Sequence, residues 1–67
     1  MRSILRNVYE ALTQKGYTPI NQIVGYLLTE APTKITKYNG ARSMICMIDR
    51  DELMQVLVKE YLFDKED

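Results

Sequence analysis

Apolar residues recur along this chain in the three- and four-residue steps of amphipathic helices, interrupted by a few well-marked breaks. Ile4, Leu5, Val8, Ala11 and Leu12 form the first stripe, while Arg6, Asn7, Glu10 and Gln14 fall between them, which predicts a helix over 3–15. Gly16 suits the left-handed position after that helix and places Tyr17 to close over Leu12, as in a Schellman ending. Lys15 complements the negative end of the helix dipole. Thr18 then offers a hydroxyl cap and Pro19 fits the first helical position. Ile20, Ile23, Val24, Leu27 and Leu28 predict a second helix over 19–30, halted before Pro32 because the residue preceding a proline is biased out of helical geometry. Gly25 inside it costs about 1 kcal/mol relative to alanine and reads as a site where another helix crosses closely.

Residues 31–40 show no period, and Asn39-Gly40 marks a turn or cap; Ile35 and Tyr38 are the residues expected to pin this loop to the domain. Ala41, Met44, Ile45 and Ile48 resume the helical rhythm over 40–48. The longer apolar step from Ile48 to Leu53 separates that segment from a last helix over 50–63, which Asp49 and Glu52 open in capping-box form. Leu53, Val56, Leu57 and Tyr61 make one stripe, and Met54, Val58, Leu62 and Phe63 widen it past a half-turn. So broad an apolar surface on a helix of so small a chain predicts an outside partner. The expected fold class is all-α, a compact bundle of about four short helices in a single domain over 1–67, ending in a frayed acidic tail at 64–67. Dimerisation is expected through Leu53, Met54, Leu57, Val58, Tyr61 and Leu62.

Length strengthens that expectation. In a chain of 67 residues, apolar burial barely offsets the cost of ordering the backbone and side chains, and self-association is the staple left without disulfides or metals. One cysteine and no histidine exclude a disulfide framework, a Cys/His zinc site and a Ser/His or Cys/His nucleophile pair. Asp49, Asp51 and Glu52 read as helix-start acids, since calcium-loop spacing is absent. No enzymatic activity and no cofactor is expected. Cys46 reads as a core or interface residue, and the five tyrosines as core edges and interface anchors. No stretch approaches the ~18 apolar residues of a membrane span, and the start lacks the apolar core of a secretory signal, so a cytoplasmic location is expected.

The net charge is zero but divided. Residues 1–48 carry six basic side chains against Glu10 and Glu30, whereas residues 49–67 carry seven acids against Arg50, Lys59 and Lys65, so the two parts are +4 and −4. Lys34, Lys37 and Arg42 have no acidic neighbour within their loop, and Tyr38 adds a rigid aromatic anchor. Docking of a protein partner is therefore expected at Lys34, Lys37, Tyr38, Asn39 and Arg42. For Asn39, capping of the third helix explains its presence as well as binding does; for Arg42, internal pairing with Asp49 or Asp51 is the alternative. The competing function is a small helix-turn-helix-like nucleic-acid binder using the basic segment 34–42, against which the neutral net charge speaks.

The run GYTPINQIVGYLL at 16–28, with Val8-Tyr9, Asn39, Ala41-Arg42, Ile45, Arg50-Asp51-Glu52, Leu57-Val58 and Tyr61-Leu62, resembles the IreB regulatory phosphoprotein family of Gram-positive bacteria over residues 5–62. The resemblance implies a small cytosolic all-helical homodimer without known enzymatic activity. It further implies a substrate of a transmembrane Ser/Thr kinase with extracellular PASTA domains, and a negative regulator of cephalosporin resistance and envelope-stress responses. The family carries its kinase-target threonines in a flexible N-terminal extension, whereas this sequence begins close to the first helix. Thr13, Thr18, Thr29, Thr33 and Thr36 do not match those positions, so no phosphosite is carried over. Cys46-Met47 stands where the family is usually basic, and Thr36 where proline is common.

Overall fold

Four α-helices are present in the computed structural model, which describes residues 1–63: α1 (Arg2–Lys15), α2 (Pro19–Thr29), α3 (Ala41–Ile45) and α4 (Arg50–Phe63). The tail expected at 64–67 lies outside the described residues. Two single turns of 3₁₀ helix, Pro32–Lys34 and Tyr38–Gly40, occupy the segment without periodicity.

The breaks follow from local chemistry. Gly16 takes φ 90°, the Tyr17 N–H donates to the Leu12 carbonyl at 3.0 Å and the Gly16 N–H to that of Thr13 at 3.0 Å, which completes the Schellman ending of α1. The Thr18 hydroxyl makes no capping bond, contrary to expectation; Pro19 at the helix start removes one donor and the Thr18 carbonyl accepts from the Gln22 N–H at 3.1 Å. Asn39 (φ 51°) and Gly40 (φ 73°) are both left-handed, so α3 cannot begin before Ala41, and the helix expected over 40–48 contracts to five residues followed by a turn. The Asp49 carboxylate accepts from the Asp51 N–H at 3.0 Å and the Glu52 N–H at 3.2 Å, which caps α4 where the sequence places its start.

α1 packs against α2, α3 and the Tyr38–Gly40 turn, and the Pro32–Lys34 turn closes against α2. The core consists of Val8, Ala11 and Leu12 from α1, Ile23 and Tyr26 from α2, Ala41 and Ile45 from α3, and Ile35, Ile48 and Leu53. Ile35 is fully enclosed although its segment has no helical period, whereas Tyr38, paired with it in the sequence reading, is exposed. α4 supplies only Leu53 to this core and then leaves the body, giving a particle of 35 × 21 × 18 Å.

Two expectations change here. Cys46 is exposed, which removes the core half of its core-or-interface reading. A Cβ built on Gly25 meets nothing within 4 Å, so among the described residues no helix crosses there and the glycine weakens α2. Gly25→Ala is expected to raise stability by about 1 kcal/mol, read as a higher thermal midpoint; a lower midpoint would mean that something does pack on this site.

Candidate functional site

The basic loop is built around Ile35. Burying that side chain draws its backbone inward, and the Arg42 guanidinium turns in from α3 to meet it, Nε donating to the Ile35 carbonyl at 2.8 Å. Arg42 is thus half-buried and pairs with neither Asp49 nor Asp51 within the chain. Lys34 and Lys37 are exposed and have no carboxylate partner among the described residues. Tyr38 lies beneath Lys15, whose Nζ sits 5.3 Å from the ring centroid, a cation–π contact that adds a lysine from α1 to the basic surface. The Asn39 side chain donates to Gln14 Oε1 at 3.1 Å and does not cap α3, where Gly40 holds the cap position. Of the five expected docking residues, Lys34, Lys37, Tyr38 and Asn39 are exposed, Asn39 also tying the loop to α1, while Arg42 turns in to Ile35. The participation of Lys15 is invisible in sequence, because it depends on where the loop lies over the end of α1.

Arg50 joins two helices, a role that neither its charge nor its place in the Arg50-Asp51-Glu52 run reveals. Its Nη1 donates to the Leu27 carbonyl at 2.9 Å and its Nη2 to Glu30 Oε2 at 2.7 Å. α2 has no basic residue in its own last turn, and Glu30 follows it in a left-handed conformation, so Arg50 supplies the cation that the carboxyl end of α2 lacks. The two partners are 23 and 20 residues away in the chain, which is why helical periodicity does not reveal them.

A second surface is apolar. Along one face of α4, exposure climbs from 3% at Leu53 to 44% at Leu57 and 87% at Tyr61. Met54 is half-buried, and Val58, Leu62 and Phe63 are exposed. Leu53 therefore belongs to the core and leaves the set of expected interface residues. α2 contributes more than expected: of its stripe only Ile23 is buried and Leu27 half-buried, while Ile20, Val24 and Leu28 are exposed. Between α1, α2 and α4 runs an apolar groove of about 430 Å³, lined by Leu5, Tyr9, Ile20, Ile23, Val24, Leu27 and Leu57, with Arg2 and Arg6.

Among the described residues no group of three His, Cys, Asp or Glu side chains is placed to hold a metal, and no helix is long and apolar enough to cross a membrane. The five residues of α3 span only about 7 Å, too little for a recognition helix in a major groove, and its Arg42 is turned inward. The geometry describes a small all-helical domain with a basic loop and an exposed apolar face. The family model for the IreB regulatory phosphoproteins matches residues 1–63, and the chain belongs to that family.

Arg42→Ala is expected to cost about 1–3 kcal/mol of stability, since it strands the Ile35 carbonyl and loosens the loop. Lys37→Ala is expected to stay within about 0.5 kcal/mol. Urea titrations of both variants check this; equal midpoints would show that Arg42 carries no structural load.

Proposed function

We propose that this protein is a non-enzymatic, cytoplasmic, homodimeric regulator that restrains a bacterial Ser/Thr-kinase pathway of cephalosporin resistance and cell-envelope stress by docking to protein partners. Membership of the IreB regulatory phosphoprotein family over residues 1–63 carries this reading. What supports it is a surface rather than a cleft: the exposed Lys34 and Lys37 on a loop tied to its core by the Arg42–Ile35 bond, with Lys15 of α1 over the Tyr38 ring. Such a loop meets a partner without first having to be ordered, which lowers the cost of binding. The partner proposed is the kinase of the pathway or a downstream envelope-stress factor, and the dimer contact involves Met54, Leu57, Val58, Tyr61 and Leu62. No position of this chain is assigned as the phosphosite.

Deletion of the gene in its native cell is expected to raise cephalosporin resistance, with restoration by the wild-type protein. A Lys34→Ala/Lys37→Ala variant of unchanged helicity and mass is expected not to restore sensitivity. Unaltered resistance on deletion contradicts the pathway reading; full restoration by the lysine variant moves docking away from the loop.

A further inference from the structure

From Leu57 to Phe63 every residue of α4 is exposed, so the helix carries a core stripe beyond the core that it serves. Tyr61 and Phe63 alone present on the order of 300 Å² of aromatic surface, in a size class where monomers rarely leave apolar area open. Beside this arm lies the groove between α1 and α2, and Leu57 forms part of its wall, so groove and arm are one continuous apolar face. Each chain has one such arm without a floor and one such groove without an occupant.

We infer that the groove is the seat for the C-terminal half of α4 from a second copy, with Tyr61 of each protomer packed against Ile20 and Val24 of the other. A two-fold axis closes both deficits in one contact, because the surface that gives the arm also receives one. Charge favours the same occupant. Arg6 lines the groove without a carboxylate partner among the described residues, and Glu60 flanks the Leu57–Tyr61 stripe on the entering helix. The one partner of Glu60 among the described residues is the exposed Arg2 of its own chain at 3.3 Å, a pair weak enough to yield to Arg6 of the other copy. Reciprocal seating covers groove and arm of both chains together, and doubling the covered surface in this way is what a chain of this size needs to approach the roughly 800 Å² per partner of a specific interface. The inference rests on the dimeric reading above and adds to it the seat on α1 and α2.

The test is a cross-linking experiment in a Cys46→Ser background. Ile20→Cys chains are mixed with Tyr61→Cys chains and oxidised mildly, while sedimentation of the wild-type protein gives its mass. Both positions are exposed in the protomer, so the substitutions spare its fold. A disulfide between the two chains is expected to form about tenfold faster than in a control mixture of Lys34→Cys and Tyr61→Cys, because seating raises the local thiol concentration. A dimeric mass with no rate advantage over the control overturns the seat and leaves the dimer standing. A monomeric mass at tens of micromolar overturns both.

Discussion

The enclosure of Ile35, with its carbonyl held by Arg42, is the contact on which the rest of the protein depends. Three short helices of this size do not close a core by themselves: α3 has five residues, and α2 turns most of its apolar stripe outward. A side chain from the connecting segment fills the remaining space, and Ile35 does so completely. Burying it also buries backbone that must find donors and acceptors. The 3₁₀ turn of Pro32–Lys34 satisfies one side, through the Ile35 N–H to the Pro32 carbonyl at 2.9 Å, and Arg42 satisfies the other. The same construction holds Lys34, Lys37 and Tyr38 at the surface, so the basic loop gains its shape from the core beneath it.

Arg50 performs a comparable task at the opposite junction. By bonding the Leu27 carbonyl and the Glu30 carboxylate, it fixes where α4 leaves the body relative to α2. With Asp49 capping the first turn and Leu53 entering the core, the exit of α4 is defined by three adjacent features of the sequence. The exposed Arg2–Glu60 pair, at 3.3 Å, adds little beyond this. The arm beyond Leu57 is consequently aimed, although among the described residues it buries no side chain against its own body.

What the sequence reveals divides along the same line. Gly16, Pro19 and Asp49 act on the residues beside them, so the starts and ends of α1, α2 and α4 are legible from local chemistry. The paired left-handed residues Asn39 and Gly40 are recognisable as a turn, but that they shorten α3 depends on where the loop is anchored. Helical periodicity identifies apolar faces without saying whose surface covers them. That is why the α2 stripe predicted a helix without showing that Ile20, Val24 and Leu28 are exposed, and why Gly25 suggested a crossing that no described helix makes. The breadth of the α4 stripe, by contrast, agrees with the exposure of Leu57–Phe63. Arg42 and Arg50 illustrate the remaining gap, since their partners are backbone carbonyls chosen by the tertiary fold.

A body organised around Ile35, with an arm proposed to be completed by another copy, makes distinct demands on backbone protection. Amide hydrogen exchange followed across a dilution series tests this most directly. The account predicts that the amides of Leu12 and Ile45 stay protected at every concentration. Protection along Leu57–Leu62 should build up as concentration rises, together with that of Val24 on α2. Protection of α4 that is strong at high dilution and independent of concentration would contradict it, because the arm would then be held by its own chain.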